Sequence, residues 1–177
     1  MKKAGLSIRA LYHKTPILVF IGSVALMIIL FYVLYRNAWV EEHLFTPLVN
    51  FYATISGGLL TFFGYSNTVS GDMIHSQQLS VAVKKGCDAL EPMAIFAAGV
   101  VAFPAGLKPK LTGIGIGLAI LFVLNIIRII SLYITGIHFP ALFEPMHLAV
   151  WQVVFIIIAI ILWFLWLRHV VHKTASK

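Results

Sequence analysis

Charge is scarce in this chain of 177 residues: Asp, Glu, Lys and Arg together make up 11%, against about 25% in a soluble domain. Hydrophobic residues reach 60%, where soluble proteins hold roughly 45–50%. The apolar excess lies in blocks, which excludes one large soluble core and indicates an integral membrane protein with a single membrane domain over residues 1–177. Cysteine is nearly absent. Cys87 is the only one, so neither an internal disulfide nor a cysteine-rich metal site can form. The chain also lacks a His-Glu-x-x-His pattern, the helix motif that a zinc-dependent intramembrane protease uses. No metal or other cofactor is expected.

Acids are few as well, and where they are missing is informative. Lys2, Lys3, Arg9 and Lys14 precede the first apolar run, Lys108 and Lys110 separate two later ones, and Arg168, Lys173 and Lys177 follow the last. None of those segments contains an acid; Glu41, Glu42, Asp72, Asp88, Glu91 and Glu144 all lie elsewhere. That is the positive-inside pattern, so the net charge of +7 reports topology rather than nucleic-acid binding.

Residues 1–15 form a cytoplasmic basic tail and residues 16–35 the first span, long enough for about 30 Å of hydrocarbon. Basic residues precede this run as in a signal peptide, but it is too long for that role and residues 32–36 offer no small-residue cleavage site. It reads as a retained anchor. Trp39 beside Glu41 and Glu42 marks the far interface.

Residues 44–65 are apolar but interrupted by Pro47, Asn50, Ser56, Gly57 and Gly58. If they span, there are five crossings and the basic ends fall on opposite sides. If they lie along the interface or re-enter, there are four and every basic segment is cytoplasmic. The charge rule favours the second arrangement. Residues 66–88 then form an outer hairpin: Leu79, Val81 and Val83 alternate with polar or small residues, a preceding strand lies near residues 69–74, and Gly86 allows a sharp turn. Further spans follow at 89–107, 111–135 and 148–167, with a short cytoplasmic turn at 104–110, an outer connection at 136–147 and a basic tail at 168–177. The expected fold is an all-α integral membrane protein with four transmembrane helices, one amphipathic or re-entrant helix and a small extracytoplasmic β-hairpin. Gly113 and Gly117 suit close helix packing, and Trp151, Trp163 and Trp166 read as interface anchors of the last span.

Three residues can do chemistry. Cys87 falls where a polar segment meets an apolar run, at or just before a helix N-terminus, where helix dipole and free amides lower a thiol's pKa. Arg128 lies inside an apolar run at a cost of about 2.5–3.5 kcal/mol on insertion scales. It shares a helix face with Asn125 and Ser131, which are spaced by three. A snorkelling anchor would explain it too, but its depth favours a function. His147 follows Glu144 by three at the start of the last span; alone it would read as an interfacial histidine. The other six histidines lie in basic tails or outer loops. Cys87, Arg128 and His147 occupy the outer ends of three successive spans, so antiparallel packing can bring them together. Together they suit a thiol nucleophile, its base and a fixed oxyanion donor.

The residues Gly86-Cys87-Asp88-Ala89-Leu90-Glu91, Asn125-Ile126-Ile127-Arg128-Ile129 and Glu144-Pro145-Met146-His147, in that order, resemble the exosortase/archaeosortase family, and most closely its short exosortase H type. The likeness covers roughly residues 39–168. It implies a membrane-embedded cysteine protease or transpeptidase of the bacterial cytoplasmic (inner) membrane, with its site facing the periplasm or exterior. Its partners would be exported proteins carrying a C-terminal sorting signal: a motif, a hydrophobic helix and a basic tail. It maps the catalytic roles onto Cys87, Arg128 and His147, with Asn125, Ser131, Asp88, Glu91 and Glu144 in support. Asp88 departs from the family, which often has Ser or Asn there. The alternative is a non-enzymatic membrane subunit or a haem- or transport-associated binding module, which needs paired histidines within spans. None of the seven histidines lies mid-span.

Overall fold

Pro16, whose missing N–H costs nothing at a helix start, opens α1 (Pro16–Tyr35) in the computed structural model, which describes residues 16–175 and side chains through residue 171. The expected basic tail at 1–15 lies outside the described residues. Asn37 caps the next helix by accepting the N–H groups of Trp39 and Val40. That helix runs through α2 (Ala38–Val40), a π turn (Glu41–Phe45) and α3 (Thr46–Phe62), so residues 44–65 are largely helical. One face of α3 is buried through Val49, Tyr52, Ala53, Ser56, Gly57 and Leu60.

The expected hairpin is a three-stranded antiparallel meander: β1 (Thr68–Ser70), β2 (Met73–His75) and β3 (Ser80–Ala82), in the order β1-β2-β3. The stretch 69–74, expected as one strand, is split by a tight turn in which Gly71 takes a positive φ of 60°.

The expected span at 89–107 is shorter than its hydropathy suggests. Its helix, α4 (Leu90–Ala102), has 13 residues, about 20 Å of rise where a crossing needs about 30 Å. Phe103 is extended because it precedes Pro104, and that ends the helix. The next helix, α5 (Leu107–His138), has 32 residues and overruns the expected 111–135. The outer connection expected at 136–147 is almost entirely helical. Phe139 alone breaks the helix, Pro140 restarts it in α6 (Pro140–Pro145), and a π turn (Met146–Val150) leads into α7 (Trp151–Ala175). The expected tail at 168–177 is thus helical through Ala175. Among the described residues, three helices, Pro16–Tyr35, Leu107–His138 and the stretch Pro140–Val171, are long and apolar enough to cross a membrane.

Packing centres on α5. One face joins α4 and α7 around Phe96, Val100, Leu121 and Phe155; the other joins α3 and the sheet around Tyr52, Leu60, Ile74, Ile129 and Tyr133. Gly113 and Gly117 permit this closeness, since a Cβ would run into Trp166 at the first and Phe96 at the second. The tryptophans of the last helix are packing residues rather than interface anchors. Trp151 and Trp166 are buried, Trp166 donates to the Pro109 carbonyl at 2.9 Å, and Trp163 closes over Gly99.

Candidate functional site

Arg128 and Asn125 sit on α5 between its two packed faces, which is why a cation and an amide are buried there; Arg128 is 6% exposed and Asn125 0%. Both reach the loop that joins β3 to α4. Asn125 donates its amide to the Cys87 carbonyl at 2.9 Å, and Arg128 donates Nη1–H to the Gly86 carbonyl at 3.3 Å. Gly86 at φ 86° and Ala89 at φ 58° give the loop its two bends, so Cys87 projects back toward α5 and α7.

His147 lies in the π turn at the head of α7. Its Nε2 is 2.8 Å from Cys87 Sγ, and the other Arg128 nitrogen, Nη2, points at the same sulfur from 3.8 Å and at the His147 carbonyl from 3.5 Å. A π turn carries an extra residue and so changes the phase of the side chains that follow. Phe143 packs edge-on against the imidazole, and the guanidinium lies 5.7 Å from the centre of the Phe155 ring.

The thiol is not tuned as its position before a helix suggests. Burial pushes the Cys87 pKa above its ordinary value; the Arg128 charge pulls it back in part, while the Asp88 carboxylate pushes it further up. Burial also raises the pKa of Asp88, against the hydrogen bonds from Leu90 N–H and the Tyr35 hydroxyl that favour its charge. Burial and the Asp88 carboxylate both favour the neutral thiol over the thiolate beside His147 Nε2.

The five expected supporting residues divide. Asn125 and Asp88 touch the Cys87 loop directly. Glu91, on the first turn of α4, accepts from Tyr32 at 3.1 Å. Ser131 turns back on its own helix, donating to the Arg128 carbonyl at 2.8 Å, and Glu144 is exposed one turn before His147. Tyr35 was not legible as a site residue. It looks like the end of a span, yet its hydroxyl accepts Gly86 N–H at 3.2 Å and donates to Asp88 at 2.9 Å. No sequence pattern marks it. Among the described residues, no cluster of three or more His, Cys, Asp and Glu side chains could hold a metal ion.

Two cavities meet at Arg128. One, of about 230 Å³, adjoins residues 80–83 of the β3 segment and contains Cys87 and His147. The other is an apolar groove of about 530 Å³ along α4, from Asp88 to Gly99, walled by α1 and α7. A thiol, an imidazole and a buried guanidinium thus stand between a small pocket and a groove bounded by helices.

No curated protein and no solved structure matches the chain. The family model described as transmembrane exosortase matches residues 17–164, a stretch that includes Cys87, Arg128 and His147. The chain belongs to the transmembrane exosortase family.

Proposed function

We propose that this protein is a cysteine protease or transpeptidase that cleaves the C-terminal sorting signal of exported proteins at the outer face of the bacterial cytoplasmic membrane. The observation that carries this reading is the 2.8 Å contact between Cys87 Sγ and His147 Nε2, with the Arg128 guanidinium 3.8 Å from the same sulfur. In this mechanism Sγ attacks the scissile carbonyl carbon as His147 Nε2 takes the thiol proton. The carbonyl oxygen becomes an oxyanion that faces the Arg128 charge. Collapse breaks the C–N bond, the amine leaves with the proton held by His147, and a thioester to Cys87 remains. Water or an acceptor amine then attacks that thioester and releases the thiol.

The groove along α4 has the apolar lining that the signal's hydrophobic helix requires, and Gly99 lets the Trp163 ring that lines it lie close against α4. Four crossings place both basic ends on one side, as the charge pattern demands. In that arrangement α4 and its flanking residues in 89–107 supply the fourth crossing, and residues 44–65 lie at the interface or re-enter.

The test is co-expression with exported proteins bearing a C-terminal apolar helix and basic tail, followed by mass spectrometry of the new C-terminus. Cys87→Ala abolishes processing while the protein still inserts in the membrane. Full processing by Cys87→Ala refutes the proposal.

A further inference from the structure

The meander ends on β3, and its register fixes which backbone groups the sheet consumes. Ile74 pairs with Val81; Val83 N–H donates to the Asp72 carbonyl at 2.8 Å, and Ser76 N–H donates to the Leu79 carbonyl at 2.8 Å. Residues 79, 81 and 83 therefore turn their backbone groups toward β2. In an antiparallel ladder the alternate residues turn theirs away. The N–H and C=O groups of Ser80 and Ala82 thus lie on the far edge, which pairs with no strand of the sheet. Proteins usually cover or blunt such an edge because it is a template for another chain. Here residues 80–83 line the same cavity as Cys87 and His147.

We propose that the β3 edge is the substrate-docking element: an extended peptide segment next to the scissile bond adds to β3 as a fourth strand and thereby delivers its carbonyl to Cys87. This rests on the cysteine-protease function proposed above. The choice of occupant follows from the chemistry of the edge. Ser80 and Ala82 offer donor–acceptor pairs repeating every two residues, about 6.8 Å apart, and an extended backbone presents the matching repeat. A helix has its backbone groups already bonded, and a lipid chain has none. Leu132 and Phe143 make the rest of the cavity apolar, and Arg128 in its wall opposes a cation. The residue seated there is uncharged and is not Lys or Arg. Because Arg128 also borders the α4 groove, a substrate can be extended on one side of Cys87 and helical on the other.

The experiment places a photoreactive benzoylphenylalanine at Ser80 in the Cys87→Ala protein, with the same group at exposed Thr68 on β1 as reference. Membranes containing a tailed exported protein that the unmodified enzyme processes are irradiated, and adducts are mapped by mass spectrometry. The expected result is an adduct from position 80 to residues flanking the cleavage site, well above that from position 68. Equal adducts, or none from position 80, overturn the docking edge while continued processing by the unmodified enzyme leaves the cysteine mechanism standing. Processing by Cys87→Ala itself overturns the mechanism instead. A second variant, Ala82→Pro, removes an N–H that the sheet does not use. It lowers processing about tenfold, the weight of one backbone hydrogen bond, with iodoacetamide labelling of Cys87 unchanged. Undiminished processing by Ala82→Pro overturns the proposal.

Discussion

The Tyr35 hydroxyl donates to Asp88 Oδ2 at 2.9 Å and accepts Gly86 N–H at 3.2 Å, so one phenol at the end of α1 holds the residues on both sides of Cys87, one by its backbone and one by its side chain. Lys85 adds a tie to the same turn, donating to the Tyr35 carbonyl at 3.0 Å while pairing with Glu41 at 2.6 Å. A helix whose one buried residue is Tyr35 thus helps to fix the Cys87 turn.

Tyr35→Phe keeps the ring and removes both bonds. Gly86 N–H and the buried Asp88 carboxyl lose a partner, at a cost of about 1–3 kcal/mol. The expected outcome is faster hydrogen exchange at the Gly86 amide and a lower unfolding temperature in detergent. Wild-type exchange at Gly86 would show that the hydroxyl holds nothing.

Asp88→Asn tests the electrostatics of the thiol. Burial and the Asp88 charge both disfavour the thiolate, so wild-type alkylation by iodoacetamide keeps climbing above about pH 8.5, the ordinary thiol value. Removing the negative charge leaves more thiolate at any given pH. The rate profile of Asp88→Asn moves to lower pH, and labelling near neutrality becomes several-fold faster. A profile moved upward would contradict this sign.

Arg128→Gln moves the same profile the other way, because the guanidinium is the charge that opposes burial at Cys87. Labelling near neutrality slows. In the proposed mechanism processing also needs Arg128 as oxyanion donor, and it falls by about 10²–10³-fold. Arg128→Lys does not restore it, since an ammonium cannot reach the Gly86 and His147 carbonyls together as the planar fork does.

Gly117→Ala probes the α4–α5 contact away from the chemistry. The added Cβ runs into the buried Phe96 ring, and overpacking costs about 1–3 kcal/mol. Gly115→Ala, which meets open space on the same helix, is the reference. Thermal unfolding in detergent separates the two, with Gly117→Ala the less stable.

Much of the site was legible because its residues are out of place in an apolar chain. A lone thiol at a polarity boundary, an arginine with an asparagine one turn away and a histidine at a helix head need no structure to be noticed. What brings them together was less so. Hydropathy marks residues 89–107 as one apolar run, but it cannot see that Pro104 extends Phe103 and ends the helix itself at Ala102. Pro140 and Pro145 look like loop residues, yet the first starts a helix and the second precedes a π turn. Ser131 shares the Arg128 face by spacing, but its hydroxyl finds a carbonyl of its own helix first. The thiol's pKa was misjudged for a related reason: position before a helix is visible in the letters, whereas burial is not.

The break at Phe139 couples the two long helices more tightly than a surface loop would. Arg128 and His147 are 19 residues apart, and helical backbone on either side of that one residue carries the phase from one to the other. Each residue added to a helix advances it by about 100° and 1.5 Å. A one-residue insertion or deletion between Phe139 and Met146 would therefore swing the imidazole off the sulfur without touching either. The connection works as a gauge block, and its length is as much a part of the site as the side chains it separates.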